Sequence, residues 1–320
     1  MSTTHKLGMD TRKFAYDRLE TPAVHIQPDD IVILETEDAN CSHILKDSDV
    51  WDFKSIYEAA GGCNPLDGPI YVEGAKAGDY LAVDILEVIP GFLRNGGYTS
   101  VQSGCGVLED IQGTIQAPLE PSSRVCSFID GKIHMNLEGG KQHVEIDMSP
   151  FVGSIGVAPK EDRRSSFFAG EDWCGNVDIP AVRAGVTVVL PVNVDGAYLM
   201  MGDVHGCQGD AELTGCALEC QGIIKARVRL IPKGQCVYGR CPQVNSEEWI
   251  GSIGVAGRGN MTSSMTHAYA DLVQRMIREY GIERNDAYMI LGLAGKAQIG
   301  NENTCLCTIE KKYLVKHNNK

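Results

Sequence analysis

The most constraining feature of the sequence is a short phrase that recurs along the chain, in which a turn of small or polar residues precedes alternating aliphatic residues. Three clear instances are 28–34, 77–85 and 184–190. Alternating β-branched residues are typical of strands, and turn residues at such intervals are typical of sandwiches and barrels. Asp130-Gly131, between two short apolar runs, adds a hairpin signal. The sequence therefore predicts a mainly β protein with a β-sandwich or barrel-like core.

One or two packed helices are predicted near the C-terminus. The apolar residues of the first helix recur with helical period and are Ala268, Leu272, Val273, Met276, Ile277 and Tyr280. Ser263 or Ser264 is the predicted cap at its start, and Gly281 is the predicted stop. A shorter helix is expected over 286–293, and alternation over 303–309 predicts a final strand.

We expect one compact unit, because no low-complexity linker divides the chain. Residues 1–20 are polar and are predicted to form an N-terminal arm. Residues 21–315 are predicted to form a single β-rich hydrolase domain, and residues 316–320 a short basic tail.

Composition narrows the partners that this chain can have. Its 320 residues carry a formal net charge of −13, which argues against nucleic acid as a partner. There is no apolar run of about 18 residues, so no membrane span is predicted. The start of the sequence lacks the apolar core of a secretory signal, and the twelve cysteines are scattered along the chain. These observations predict a cytoplasmic protein with reduced thiols.

The densest chemistry lies in 200–212, which holds three carboxylates, one imidazole, one thiol and one carboxamide among three glycines. The apolar run 186–192 leads into it through Asn193-Val194-Asp195-Gly196, a turn of the hairpin kind. The glycines predict a poor core strand. If the chain is extended here, Asp203, His205 and Cys207 share one face. The stretch is therefore either a site for a metal or an acid and base, or an exposed acidic hairpin loop with a solvated histidine.

A second repeat is identical in both copies. The phrase Gly-Ser-Ile-Gly-Val-Ala occurs at 153–158 and again at 251–256. Two interpretations remain open. The copies are two similar β-turns without chemistry, or both offer backbone N–H groups to one cavity, as an oxyanion site requires.

Several segments resemble the acetamidase/formamidase family. Residues 202–212 are similar to its G-D-x-H-x-x-Q-G-D-G-E signature, with Ala211 in place of glycine, and 64–75 are similar to N-P-x-T-G-P-I-x-V-E-G-A, with Asp67 in place of threonine. Residues 155–159 resemble its I-G-V-A-P stretch, and 174–178 its G-G-N-x-D. The segment 295–300 departs from the family's A-D-L-R-I-S and contains Lys296.

This resemblance, which covers roughly residues 20 to 315, implies hydrolysis of short aliphatic amides to carboxylate and ammonia. It also implies a sandwich fold, a homo-oligomer (dimer or higher) and a divalent metal. Zinc is the expected ion because a mixed nitrogen and oxygen donor set suits it, and calcium is a candidate second ion. The expected metal ligands are Asp38, Asp203, His205, Asp178, Asp210 and Glu73. The expected catalytic residues are Glu212 as general base, His205 and Asp203; the expected substrate contacts are Gln208, Asn64 and Gly156.

Two other functions stay open at this level. Cys207 or Cys174 could be the nucleophile of a cysteine amidase, since a thiolate needs a neighbour such as His205. Alternatively, the altered segment around Lys296 permits a member of the same fold that binds a ligand or metal without catalysis.

Overall fold

The structure is a computed structural model that describes residues 2–50, 52–102, 105–108, 120–235, 239, 241–257 and 260–314. The tail predicted at 316–320 lies outside these residues. Most of the regular structure is β, and the chain forms two larger and two smaller sheets.

The largest sheet has nine strands and carries the alternating pattern seen in the sequence. In spatial order they are β1 (Thr4–Leu7), β4 (Ile31–Thr36), β17 (Gly222–Ile231), β6 (Tyr80–Pro90), β15 (Thr187–Pro191), β18 (Gln243–Asn245), β19 (Trp249–Val255), β21 (Thr304–Glu310) and β20 (Lys296–Ile299). In β4 every second side chain is buried, as a strand with one covered face requires.

The second sheet has six strands and holds most of the residues that the sequence singles out. Its strands are β13 (Ala169–Gly170), β14 (Cys174–Asn176), β11 (Phe151–Gly156), β16 (Leu199–His205), β5 (Leu66–Val72) and β3 (Val24–Ile26). β16 contacts β4, β6 and β17 of the larger sheet. Buried aliphatic residues of both sheets form one continuous core, which includes Leu34, Leu81, Ile155 and Leu199.

Two smaller sheets complete the β structure. One has the order β10 (His143–Asp147), β9 (Lys132–Asn136), β8 (Ser122–Ile129) and β7 (Gly96–Val101), and the other pairs β12 (Arg164–Ser165) with β2 (Ala15–Tyr16). Asp130 and Gly131 connect β8 and β9 with positive φ at both residues, as the hairpin signal predicted. The sheets are not closed into a barrel, and the predicted mainly β fold is confirmed.

The described residues contain three α-helices: α1 (Phe53–Ala60), α2 (Met261–Tyr280) and α3 (Arg284–Ala294). Both predicted C-terminal helices are present, and Gly281 ends α2 in the left-handed conformation. The predicted cap was wrong by one turn. Asn260 caps α2 by accepting a hydrogen bond from the Ser263 backbone N–H, because an asparagine amide oxygen serves this position well. None of these helices is long and apolar enough to cross a bilayer.

The segment predicted as a polar arm is instead part of the folded body. β1 pairs in parallel with β4, and β2 pairs with β12. Tyr16 is fully buried, and a short 3-10 helix (Met9–Thr11) lies between the two strands. The strands that pair with this segment are distant in sequence. Local composition therefore does not reveal that the segment is part of the sheets.

Two local expectations around the central stretch also need correction. The turn at 193–196 is not a hairpin, because it carries the chain from β15 in the larger sheet to β16 in the smaller one. The predicted poor core strand is a fully buried strand, β16. Its glycine is needed there, since a Cβ on Gly202 would lie 2.6 Å from the carbonyl oxygen of Pro65.

Candidate active site

β16 ends by presenting two titratable side chains next to each other. His205 Nε2 lies 3.2 Å from Asp203 Oδ1, and both side chains are almost completely buried. The neighbouring strand β11 leaves room for them through Gly153. A Cβ at Gly153 would lie 2.6 Å from Asp203 Oδ2, 2.7 Å from Asp178 Oδ1 and 2.9 Å from His205 Cε1. The glycine is therefore required by the side chains packed above it.

Three further carboxylates converge on His205. Glu219 Oε2 lies 3.3 Å from His205 Nε2, and the Glu219 backbone bridges to both His205 and Tyr98. Asp203, His205 and Glu219 form one group whose ligand atoms lie within 4.8 Å of one another, and Asp178, His205 and Glu212 form a second such group. His205 is thus shared by two potential three-ligand sites.

Glu219 was missed by the sequence analysis. Its carboxylate accepts a hydrogen bond from the Ala217 backbone N–H and is only 4% exposed as a residue. The available signal was an acid inside a run of small and apolar residues, Cys216-Ala217-Leu218-Glu219-Cys220. A charged residue in such a run is rarely buried without a partner.

The charges of this cluster shift the pKa of several members. Burial lowers the pKa of His205, but the carboxylates of Glu219 and Asp203 more than offset this and raise it well above its ordinary value. Burial, together with the charge of Asp203, raises the pKa of Asp178. Burial and the charge of Asp178 raise the pKa of Glu212. Carboxylates that repel one another in a buried space are stabilised by a cation.

The donor atoms fit a metal ion. Asp178 Oδ1, His205 Nδ1 and Glu219 Oε2 are buried and make no hydrogen bond within the described part of the chain. Buried polar atoms usually have a partner, so a cluster of unpartnered ones calls for a ligand. One imidazole and several carboxylates form a mixed nitrogen and oxygen set, which suits zinc.

The backbone at the cluster is held in the left-handed region. Asp178 (φ 48°), Asp203 (φ 60°) and Glu212 (φ 45°) all have positive φ, as does the nearby Asn64 (φ 56°). Non-glycine residues adopt this conformation at an energetic cost, and such residues concentrate at functional sites. With this backbone conformation, the three residues direct their carboxylates toward His205.

A layer of amide and hydroxyl groups supports the carboxylates. Asn301 Nδ2 donates to Asp178 Oδ2 (2.8 Å), and the Ser154 hydroxyl lies 3.1 Å from Asp203 Oδ2. Asn64 Nδ2 donates to Asn176 Oδ1 (2.9 Å), whereas Gln208 Nε2 donates to the carbonyl oxygens of Asp178 (2.7 Å) and Gly300 (3.0 Å). The side-chain oxygens of Asn64 and Gln208 are buried without a partner among the described residues.

A cavity of about 430 Å³ opens beside Glu212. Its wall includes Phe167, Phe168 and Trp173 from the short connections around β12, β13 and β14, together with Asn176 and Asn301. Gly156 is not part of this wall but packs behind it, where a Cβ would lie 2.5 Å from the Trp173 carbonyl oxygen. Glu212 is therefore the carboxylate of the cluster that lines this cavity.

Three of the predicted metal ligands do not belong to either three-ligand group. Asp38 lies in a separate cavity of about 350 Å³ with Arg94 and Glu219, and burial raises its pKa to about 6. Glu73 pairs with His25 at the surface (2.8 Å), and Asp210 is exposed. Asp38 therefore lies in a different space from the 430 Å³ cavity, and Glu219 of the cluster lines the space that holds Asp38.

Neither cysteine proposed as a nucleophile is suited to that role. Cys174 is fully buried, and burial raises its pKa to about 12. Burial also raises the pKa of Cys207, although the charge of His205 acts in the opposite direction. A nucleophilic cysteine requires the thiolate form, which both environments disfavour.

The altered segment around Lys296 contacts the site through its backbone. Ala211 N–H donates to the Ile299 carbonyl oxygen (3.2 Å), next to the Gln208 contact with Gly300. Lys296 itself pairs with Glu310 (3.0 Å) on the surface. The lysine therefore does not enter the carboxylate cluster.

Known proteins share both the sequence and the fold. The profile of the acetamidase/formamidase family matches residues 17–173 and 168–301. An acetamidase from Mycolicibacterium smegmatis is 29% identical over 72% of this chain and 73% of its own length. A formamidase from Methylophilus methylotrophus is 44% identical over 54% of this chain, which spans about half (53%) of that protein's length. The crystal structure of an acetamidase from Yersinia enterocolitica superposes with a TM-score of 0.87 at 29% identity, covering 98% of this chain and 94% of that one.

The family profile accounts for most of the chain, the named relatives are amidases, and the acetamidase of known structure has the same fold. The family and the amidase class predicted from the sequence are confirmed. The chain therefore belongs to the acetamidase/formamidase family.

Proposed function

We propose that this protein hydrolyses short aliphatic amides to a carboxylate and ammonia, with a divalent metal ion and Glu212 as general base. The observation that carries the proposal is that two three-ligand groups share His205 and that only one of them, through Glu212, reaches the 430 Å³ cavity. A site of this kind combines a buried place for an ion with a carboxylate facing the substrate.

We assign the ion to Asp203, His205 and Glu219, with Asp178 as a further ligand. Zinc suits the mixed donor set. The additional carboxylate oxygens suit calcium as a second ion. A bound divalent ion lowers the pKa of water and polarises a carbonyl group, which an unactivated amide needs. Asp38, Asp210 and Glu73 have no part in this assignment.

Glu212 would take a proton from the attacking water and return it to the departing nitrogen. A general base must reach both atoms, and Glu212 is at the boundary between the cluster and the cavity. Asn64 and Gln208, predicted to contact the substrate, do not line the 430 Å³ cavity, and their unpartnered side-chain oxygens are buried, so we assign them to positioning the site. Their own NH₂ groups are already used to hold the site together.

Assembly and location belong to the same proposal. We infer a homo-oligomer, dimer or higher, supported by exposed apolar residues on α3: Tyr288, Met289 and Leu293 are 71%, 57% and 90% exposed. We infer a cytoplasmic protein, because nine of the described cysteines are buried, an environment typical of reduced thiols. The net charge of −13 supports the absence of a nucleic-acid partner.

An ammonia-release assay over formamide, acetamide and propionamide tests the proposal. Purified protein should release ammonia from at least one of them, lose activity after chelation and regain it with zinc. Iodoacetamide should leave activity unchanged. No turnover on any of the amides by protein that contains metal would favour the non-catalytic alternative, whereas alkylation that abolishes activity with chelation having no effect would favour a cysteine nucleophile.

A further inference from the structure

A second group of metal-binding side chains lies on the outer face of the β9–β10 hairpin. Glu145 is directly opposite His134 in the antiparallel register, and His143 is opposite Asn136. Side chains two residues apart on a strand share a face, so both histidines and Glu145 point the same way. Ile133, which precedes His134 and points to the opposite face, is buried in the core. The face that carries the histidines is therefore the outer one.

The three side chains already lie close to a binding geometry. Their ligand atoms are within 4.8 Å of one another, and the two imidazole rings are nearly parallel, 11° apart with centroids 6.4 Å from each other. His143 Nε2 lies 3.9 Å from Glu145 Oε1. Lys132 Nζ contacts the other oxygen, Oε2, at 2.9 Å. Oε1 is thus turned toward the histidine while Oε2 is held by the lysine.

We propose that His134, His143 and Glu145 bind one divalent ion of borderline softness, such as Zn²⁺ or Cu²⁺. Two imidazole nitrogens and one carboxylate oxygen match the preference of these ions, and three protein ligands leave a position for water or a small ligand. The site is separate from the cluster around His205. His134 also borders the 350 Å³ cavity that contains Asp38 and Arg94.

The hairpin provides a rigid base, and Lys132 sets the affinity. Because the ligands come from paired strands, holding them together costs less conformational entropy than it would on a loop. The ammonium group of Lys132 competes with a metal for the charge of Glu145. Removal of the lysine should therefore strengthen binding, whereas neutralising Glu145 should weaken it.

Titration calorimetry with Zn²⁺ at about pH 7.5, where imidazole is mostly neutral, tests the site. We expect the full-length wild-type protein to bind one more equivalent than H134A/H143A. Glu145→Gln should weaken this equivalent about tenfold or more, and Lys132→Ala should tighten it a few-fold. Cu²⁺ bound at this site should show coupling to two nitrogen atoms in its paramagnetic resonance spectrum, and H143A alone should reduce this to one.

His25 provides a matched control. It pairs with Glu73 on another strand surface at 2.8 Å, and Glu73 with His25 belongs to no three-ligand group of the described residues. His25→Ala should leave the Zn²⁺ stoichiometry unchanged. Equal stoichiometry and affinity for wild type and a correctly folded H134A/H143A variant, checked by circular dichroism, would overturn the proposal. So would weaker binding by Lys132→Ala.

Discussion

The same six-residue phrase, Gly-Ser-Ile-Gly-Val-Ala, forms two strands with different roles. In β11 it lies beneath the carboxylate cluster, where the Ser154 hydroxyl is 3.1 Å from Asp203 Oδ2. In β19 it lies beneath α2, where the Ser252 hydroxyl donates to Asp271 Oδ2 at 2.6 Å. Both serines thus contact a buried aspartate, but only one aspartate belongs to a potential metal group.

The neighbours of the two strands account for the difference. β11 lies between β14 and β16, so it is flanked by the segments that carry Asp178 and His205. β19 lies between β18 and β21 and is covered by α2; a Cβ on Gly254 would meet the Ser264 carbonyl oxygen of that helix. Small residues leave space above a strand. The neighbouring elements decide whether titratable side chains or a helix fill that space.

Both copies are strands, and neither is a turn as first considered. Ladder pairing joins the first copy to β16 and the second to β21. The proposed shared oxyanion loop therefore has no support from their conformation. Four experiments can break or sharpen the contrast between the two regions.

The largest effect is expected at the carboxylate cluster, compared with a histidine of the α2 region. His205→Ala and Glu212→Gln should each lower kcat by about 10²–10⁴-fold, because they would remove the proposed metal ligand and the proposed general base. His267, which pairs with Glu171 at α2, is the control, and His267→Ala should keep most of its turnover. Steady-state ammonia release measures all three. Near-normal kcat for both site variants would reject the assigned roles.

The next effect distinguishes the two first glycines of the phrase. Gly153→Ala should lower kcat by about 10²-fold, because its methyl group would displace the side chains of Asp203, Asp178 and His205. At Gly251 a Cβ would meet the side chains of Leu306 and Thr308 on β21. Gly251→Ala should therefore lower Tm and leave kcat nearly unchanged. Equal losses of kcat would mean that the methyl group acts through general destabilisation.

Two carboxylates, one in each of the two larger sheets, should respond to pH with opposite signs: Asp67 is buried, whereas Asp84 is half-buried. Burial raises the pKa of Asp67 to about 8, despite its hydrogen bond from Thr11. The folded protein holds a proton that the unfolded chain releases above about pH 4, so this contribution to stability is lost between pH 4 and 8. Asp67→Asn should remove the loss and raise the free energy of unfolding at pH 8, relative to wild type, by about 2 kcal/mol or more.

Asp84 provides the contrast in the larger sheet. Burial raises its pKa, but hydrogen bonds from Arg229 and Thr187 outweigh this and hold the pKa below its usual range. Its contribution is present above about pH 4 and is lost as the pH falls through the lowered pKa. Asp84→Asn should cost about 1 kcal/mol at pH 7 and little in acid, as urea unfolding at several pH values can show. Parallel pH profiles for the two variants would contradict these assignments.

The smallest effect concerns the two serines. Ser154→Ala should reduce kcat a few-fold, because its hydroxyl helps to orient Asp203 and Asn176. Ser252→Ala should reduce the free energy of unfolding by about 1 kcal/mol without changing kcat. Unfolding curves and kcat measured on the same preparations separate the two outcomes. A fall in kcat for Ser252→Ala would show that the second region contributes to turnover.

The sequence by itself determined the features that depend on local period and local motifs. The patterns over 28–34 and 303–309 predicted the strands observed at Ile31–Thr36 and Thr304–Glu310. Helical spacing predicted α2, and Asp130-Gly131 predicted a hairpin. The spacing of Asp203 and His205 likewise places them side by side, since side chains two apart on a strand share a face. Each of these inferences uses interactions within a few residues.

Only the tertiary structure decided which distant segments meet. Glu219 lies next to His205 because an isolated β-bridge pairs their backbones, and Asp178 follows the end of another strand. Asp210 and Glu73 lie at the surface. The predicted N-terminal arm pairs with the nine-stranded sheet, and Asp38 lines the 350 Å³ cavity next to the cluster. Strand pairing and burial join residues far apart in the chain, so neither composition nor spacing can rank one acid over another before the sheets are packed.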